Sequence, residues 1–568
     1  MSNLLFYGDN LSILRNEIKD ESIDLIYLDP PFKSNATYNI LFKGQSGKQS
    51  SSQIRVFEDT WRWGMEAENA FDEIMKSGEN SNVSEMIRSM RIFLGQNDMM
   101  AYLVMMAVRL VELHRVLKPG GSIYLHCDDT ASHYIKVLMD AVFGQENYVN
   151  NIVWRRATSH NDPKRFGRIA DHILFYSKSG GKHFWNGYAA AMPKTEEEIK
   201  DAYPSEDERG HYRTADLTGS MHNAKKGSPS SLPWRGYDVH SMGRHWSPPK
   251  TGFYARYIEE NLLPGYLAIK GVHERLDALD KAGLIHHPKK GKWPGLKRYA
   301  AADQGNPPQN IILKPTGFTN YTKGKEYLGY PTQKPLALLE KLIKVSSKKG
   351  DVVLDPFCGC GTAVHAAQKL GRKWIGIDVT HLAISLVERR LTDAFPKVKY
   401  EVHGTPKDLE GARELAKRDK YQFEWWALSL VKAIPYQGKK RGADSGIDGL
   451  VYFQENRDTN ERVVIQVKGG ASVGVSMIRD LKGTMEREKA PLGLLVTLAE
   501  PTAPMKKEAV AAGFHTIYGG EGRRYPKVQI ITIEELLGGK TPEIPRIDEL
   551  AFKKTPRELG EMKPEKLL

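Results

Sequence analysis

The chain has 568 residues, with 82 Lys and Arg against 69 Asp and Glu and only three cysteines. That length exceeds what one hydrophobic core supports and predicts two to four domains, while Cys127, Cys358 and Cys360 are too few for a disulfide framework and suit a reducing compartment, the cytoplasm. A net charge of +13 and a pI near 9.2 point to a polyanionic partner, nucleic acid before a membrane surface. The N-terminus lacks a basic segment followed by an apolar core, so no signal peptide is expected. The most apolar long stretch, 103–117, is interrupted by Arg109, Glu112 and Arg115; it reads as an amphipathic helix and not a membrane span. Cys358 and Cys360 have no second ligand pair nearby, which argues against zinc.

In chain order, LLFYG reads as a strand, NLSILRNEI as a helix and SIDLIYL as a second strand. Asp9-Asn10 marks the first turn and helix start. The span 33–97 turns polar and contains KGQSGKQSSSQ, which reads as a mobile loop. AYLVMMAVRLVELHRVL is a helix ended by KPGG, SIYLHCDD a strand, SHYIKVLMDAVF a helix, and NIVWRR and HILFYSK two further strands. Alternation of this kind predicts an α/β fold with a largely parallel sheet. From 179 to 327 the pattern breaks into interspersed Gly, Pro, Trp, Tyr, Arg and His, too long for one loop and therefore a separate irregular subdomain. The α/β pattern resumes with PLALLEKLIKVSS, DVVLD, GTAVHAAQKLG and KWIGID. Residues 401–420 are charged and read as a linker. A third unit, 421–540, begins with the amphipathic helix YQFEWWALSLVKAI, and 541–568 read as a surface tail.

Two motifs concentrate the chemistry. In LIYLDPPF, Asp29 ends a buried strand, and Pro30 and Pro31 offer no N–H to continue a ladder. Alone, this could be an Asp turn at a strand end. In DVVLDPFCGCGT, Gly359 and Gly361 lie between a strand and a helix, and Asp378 ends the next strand. Glycines let a ligand approach the backbone at a helix N-terminus, and an acid on the next strand suits a ribose diol. The run lacks both a P-loop Lys-Ser/Thr and a third dinucleotide glycine, so an adenosine cofactor without pyrophosphate fits best.

Together, DPPF and DPFCGCGT resemble the amino-group DNA methyltransferases that use S-adenosylmethionine. Their order, catalytic motif first, resembles the permuted beta group, and PTQKP followed by a helix and GDVVLDPF matches that group's cofactor region. The resemblance covers about 3–391. It implies a Rossmann-like methyltransferase domain in two halves, 1–178 (with 33–97 inserted) and 328–400, with the intervening 179–327 reading the DNA target. The carboxylate of Asp29 and the carbonyl of Pro30 would accept the two N–H bonds of the target amine, turning its lone pair toward the methyl sulfonium. Pro31 would stiffen the turn, and Phe32 would stack on a base swung out of the duplex. DPPF goes with N6-adenine in that family, with N4-cytosine the alternative. Asp378 would bind ribose. Asp355, Phe357, Gly359, Gly361 and Thr362 would line the cofactor, with Gln333 and Lys334 nearby. Asp9 is either an aid to the adenine ring or a helix N-cap. Arg235, Arg244, His245 and Trp246 suit base and phosphate contacts, although such tryptophans can equally be core and such arginines solvated.

In the C-terminal unit, GIDG precedes a strand, a polar turn and the strand VVIQVKGG. Side chains alternate along a strand, so Gln466 and Lys468 point to one face. With Asp448 they can hold Mg²⁺ and place a cation near a scissile phosphate. This resembles the Mrr-like branch of the PD-(D/E)XK nucleases, in which glutamine replaces the second acid. Glu424 is a candidate fourth member, and Asp448 and Gln466 the metal ligands. The combined expectation is an enzyme that methylates and cuts double-stranded DNA, acting as a single-chain restriction–modification protein. The alternatives are a methyltransferase whose C-terminal domain only binds DNA, and a DNA-binding regulator with both sites decayed. One nuclease site per chain leaves a homodimer open.

Overall fold

A computed structural model describes residues 2–31, 37–43, 49–58, 63–76, 81–159, 162, 164–220, 227–288, 293–315, 317, 326–328, 330, 332–436, 446–454, 460–517 and 523–545, with backbone alone for 37–43 and 49–58. One nine-stranded sheet is built from the two expected methyltransferase halves, with one edge strand, 311–312, from the span expected to read the target and the other, 400–403, running into the expected linker. Its strands are β1 (Asn3–Tyr7), β2 (Ile23–Leu28), β3 (Leu117–Cys127), β4 (Tyr148–Arg155), β5 (Ala170–Ser177), β6 (Ile311–Ile312), β7 (Val352–Asp355), β8 (Lys373–Asp378) and β9 (Tyr400–His403). The spatial order is β6-β4-β5-β3-β2-β7-β8-β1-β9. Every pairing is parallel except those of β5.

The sheet is buried on both faces, which is why its central strands read as unbroken apolar runs. Ile26 and Leu28 of β2 join the core under α1 (Asn10–Glu17), α2 (Asp98–Val116) and α3 (Ser132–Phe143). Leu25 and Tyr27 point the other way, into the core under α4 (Leu336–Ser346), α5 (Thr362–Lys369) and α6 (His381–Ala394). The halves meet at the β2–β7 pair, in register Val353↔Leu25 and Leu354↔Ile26, and again where β1 lies between β8 and β9. Parallel strands end at one edge, so the residues that follow β2, β7 and β8 meet there.

The expected loop at 33–97 is in large part regular. Strands Thr37–Lys43 and Gln49–Glu58 pair antiparallel, and helices Met65–Lys76 and Ser81–Leu94 follow. Each helix buries a sparse apolar pair, Ala67 with Ile74 and Val83 with Ile87, and the polar residues between them obscured the period. The expected linker at 401–420 is likewise structured: α7 (Leu409–Arg418) buries Ala412 and Leu415, three apart on one face.

Residues 187–308 form a second compact unit. Inside the span expected to be irregular are a four-stranded antiparallel sheet (Ser205–Asp207, Gly210–Asp216, Gly295–Tyr299, Ile285–His286) and a two-stranded one joining Thr218–Ser220 to Arg244–Trp246. Trp234, Trp246, Tyr266, Leu276 and Leu279 make its core.

The C-terminal domain orders its strands β10 (Ile434–Pro435), β11 (Gly449–Gln454), β12 (Asn460–Lys468), β13 (Leu492–Thr497) and β14 (Val528–Thr532) consecutively. The β11–β12 hairpin is antiparallel, and β12, β13 and β14 run parallel. Helices α8 (Lys420–Leu430), α9 (Val475–Glu488) and α10 (Ala503–Ala511) cover the sheet. No helix among the described residues is long and apolar enough to cross a membrane.

Candidate active sites

The carboxyl edge of the large sheet holds a cleft of about 390 Å³, within the range of small-molecule sites. Asp29, Pro30 and Pro31 line it from the end of β2, Asp355 from β7 and Asp378 from β8. Phe32 lies outside the described residues. The cleft is strongly acidic. Burial pushes the Asp355 carboxyl well up, reinforced by the charges of Asp29 and Asp378, while the Phe357 N–H and Lys334 pull the other way. The Lys334 ammonium donates to the Asp29 carboxylate and supplies the compensating charge. Such a cleft favours a ligand carrying positive charge and offers no cradle of cations for phosphates.

The turn after β7 is shaped by its glycines. Gly359 and Gly361 have φ of +49° and +75°. A Cβ on Gly361 would fall 2.8 Å from Val387 Cγ2, and one on Gly359 3.2 Å from the Tyr330 ring. The Asp378 carboxylate accepts from Gly359 N–H at 3.0 Å and from the Thr380 N–H and hydroxyl at 2.9 Å each, and the Val379 N–H also bears on it. Gln333 spends both ends of its amide on the preceding loop: Oε1 accepts from Leu328 N–H and Nε2 donates to the Glu326 carbonyl, each at 2.8 Å. Thr362 Oγ1 accepts from the buried Arg390 guanidinium at 3.0 Å. Phe357 also lines the cleft.

Asp9 is the N-cap of α1, one of the two roles expected for it. It lines the cleft, and its Oδ2 caps α1 by accepting from Ser12 N–H at 3.0 Å. Its Oδ1 accepts from Arg109 at 2.9 Å. Arg109 and Asn10 are cleft residues that sequence reasoning missed. Asn10 Nδ2 donates to the Pro356 carbonyl at 2.8 Å and Asn10 Oδ1 accepts from Arg109 Nε at 2.7 Å, tying α1 and α2 to the glycine turn. The available signal was a lone arginine on the otherwise apolar inner face of α2. Tyr330 was missed because nothing local marks it; only the close approach of Gly359 does.

In the C-terminal domain the alternation along β12 holds. Val467 enters one core, Gln466 is buried on the opposite face, and Lys468 is half-buried beside it. The Asp448 carboxylate accepts from the Val467 N–H at 2.7 Å. Gln466 Nε2 donates to the Gly446 carbonyl. Glu424 lies on α8, whose Phe423 ring approaches Gly469, the residue after Lys468, so closely that a Cβ there would lie 2.8 Å from it. Among the described residues no three His, Cys, Asp or Glu side chains converge as a metal cluster.

Two of the residues expected to read DNA are tied down within the second compact unit. Arg244 donates to Thr218 Oγ1 at 2.6 Å and pairs with Asp216. Arg235 pairs with Asp280 and Asp277. The His245 ring packs on Gly219. Trp246 is a correction. It is 1% exposed, with its ring 5.7 Å edge-to-face from Trp234, because alternation along its short strand turns it into the core. Trp246→Ala should cost about 3–5 kcal/mol in that unit, seen as an earlier urea transition.

A doubly wound sheet with an acidic cleft at its carboxyl edge defines an α/β enzyme. The chain belongs to the DNA methylase family, whose model matches residues 23–389. A restriction endonuclease family matches residues 415–536, so the chain is a DNA methylase carrying a C-terminal restriction-endonuclease domain. The Type II methyltransferase M.EcaI of Enterobacter cloacae is 29% identical over 403 residues, spanning 69% of each chain. The Type III restriction-modification enzyme StyLTI Mod subunit of Salmonella typhimurium is 27% identical over 383 residues, 65% of this chain and 50% of that one. Among solved structures, the S-adenosyl-L-methionine complex of TTHA0409, a putative DNA modification methylase from Thermus thermophilus, aligns over 70% of this chain and 97% of its own, at 15% identity and a TM-score of 0.32.

Proposed function

We propose that the chain transfers a methyl group from S-adenosylmethionine to the exocyclic N6 amine of a flipped adenine in double-stranded DNA, and cuts DNA with its C-terminal domain as a cytoplasmic single-chain restriction–modification enzyme. The observation that carries this reading is the convergence of Asp29 with Asp355 and Asp378 on one acidic cleft, across the β2–β7 seam. The cofactor supplies an electrophilic methyl on a sulfonium, a cation that the acidic lining of the cleft suits. Asp378 accepts from a ribose hydroxyl, and the glycine turn admits the methionine end. Asp29 and the Pro30 carbonyl accept the amine's hydrogens and stabilise charge developing on nitrogen. The unit at 187–308 is assigned to target reading.

Burial lifts the Asp378 carboxyl from the ordinary 3.8 to about 6, although the Thr380 N–H and hydroxyl and the Gly359 N–H pull it down. The folded state thus holds a proton that the unfolded chain has released, so this group's stabilising contribution is lost as pH rises from 3.8 through about 6. Cofactor binding runs the opposite way, because a ribose hydroxyl donates to the ionised form. Affinity should fall about tenfold per pH unit below that value, and the slope should vanish in Asp378→Asn. Calorimetric titration across pH checks both.

In the nuclease domain, Asp448 and the Gln466 carboxamide would hold Mg²⁺, which would polarise the scissile phosphate, with Lys468 beside it. A dimer would let two such sites cut both strands. A second reading, a methyltransferase whose C-terminal domain only binds DNA, is favoured by the bond already made from Val467 N–H to Asp448. Incubating unmodified plasmid with the protein and Mg²⁺ decides between them: linear product supports cutting, and intact plasmid under every metal and cofactor condition supports the second reading.

A further inference from the structure

A buried chain of three polar side chains runs behind the catalytic strand. Tyr27 and Asp29 are two residues apart at the end of β2 and share a face. Tyr27 lines the cleft and is 3% exposed. Its hydroxyl lies 3.0 Å from His126 Nδ1 on β3, and His126 Nε2 lies 3.1 Å from Asp171 Oδ2 on β5. His126 and Asp171 are 0% and 2% exposed. The carboxylate fixes the tautomer: Nε2–H donates to Asp171, and Nδ1 accepts from the Tyr27 O–H. Asp171 Oδ1 lies 3.4 Å from Arg156, a half-exposed side chain that leads toward solvent. Three desolvated polar groups crossing three adjacent strands are costly unless every member is paired.

We propose that Tyr27, His126 and Asp171 form a proton relay that restores the Asp29 carboxylate after each methyl transfer. The inference rests on the amine-transfer reading, and applies equally to an adenine or a cytosine amine. The nitrogen lone pair forms the new N–C bond, the S–C bond breaks with its electron pair going to sulfur, and one N–H proton must leave. It passes to Asp29, the group that accepts the amine's hydrogen bond. A proton left on Asp29 would break its ion pair with the Lys334 ammonium. The proton moves on, directly or through one water, to Tyr27 Oη as Tyr27 passes its own proton to His126 Nδ1. The imidazolium so formed is held against the Asp171 carboxylate, and once the product has left it returns the proton through Tyr27, which lines the cleft, to water there. Tyr27 is not itself the base: burial, then the charges of Asp29, Asp355 and Asp171, keeps its hydroxyl well above the ordinary value, so it conducts without ionising. Burial alone would raise Asp171, but the hydrogen bond from His126, with Lys334 and Arg156, holds it below the ordinary carboxyl range, ionised and ready for the imidazolium. Asp29 is the catalytic residue here; Tyr27, His126 and Asp171 act through it.

Multiple-turnover methyl transfer from labelled cofactor, measured across pH in H₂O and D₂O, tests the relay with Tyr27→Phe, His126→Asn and Asp171→Asn. The wild type should show a solvent isotope effect. Tyr27→Phe and Asp171→Asn should each slow turnover by about 100-fold. Tyr27→Phe should also lose the isotope effect. Should Tyr27→Phe fail to fold, Asp171→Asn, which keeps the shape, carries the same comparison. Wild-type rates in the variants, or an equal slowing at every pH with the isotope effect intact, would overturn the relay while leaving Asp29 in place. A wild type that transfers no methyl to DNA would overturn the underlying reading and the relay with it.

Discussion

Asp29→Ala should reduce methyl transfer by at least about 10²–10³-fold while leaving any DNA cutting intact. On the proposed reading, the variant removes the carboxylate that would accept the target amine's hydrogen bond, an interaction that would strengthen as positive charge builds on nitrogen. Cofactor binding should survive, since Asp378, the glycine turn and Gln333 keep their own bonds. Two structural effects oppose each other. Asp355 loses a neighbouring like charge, whereas Lys334 loses the Asp29 carboxylate, and breaking a buried ion pair from one side costs about 3–5 kcal/mol. Asp29→Asn separates these: it keeps an accepting oxygen but not the charge, so its rate should lie between the two. Transfer of labelled methyl to plasmid DNA, alongside equilibrium cofactor binding, reads both.

Lys468→Ala should abolish metal-dependent cutting and leave methylation unchanged. Lys468 is half-buried at the end of β12, so truncating it removes a cation without opening the core behind Val467 and Ile465. Conversion of supercoiled plasmid to linear form measures the loss. Cutting that persists in this variant would remove the lysine from the site, and methylation that falls with it would mean that the two domains do not work independently.

How much of this was legible before the structure depended on whether the information was local. The β2 and β7 runs announce themselves because a strand buried on both faces is apolar at every position. The glycine turn was readable because φ above zero and a close approach to Val387 demand glycine. Gln466 and Lys468 fell on one face by strand alternation alone. What stayed hidden was set by distant contacts. Arg109 reads as a solvated helix charge until Asp9 and Asn10 are placed against it. Tyr27, His126 and Asp171 sit on three strands, and no spacing joins them. Trp246 offered aromatic chemistry that suited DNA equally well, and only its burial against Trp234 decided its place. Helices Met65–Lys76, Ser81–Leu94 and α7 were obscured because two apolar residues per helix are a weak signal in a charged background.

The central claim is that Asp29 presents an adenine amine to the cofactor. Nucleoside mass spectrometry of DNA from cells expressing the wild type and Asp29→Ala tests it most directly. The account predicts N6-methyladenine in the first and none in the second. N4-methylcytosine in place of methyladenine, or methyladenine that persists without Asp29, would contradict it.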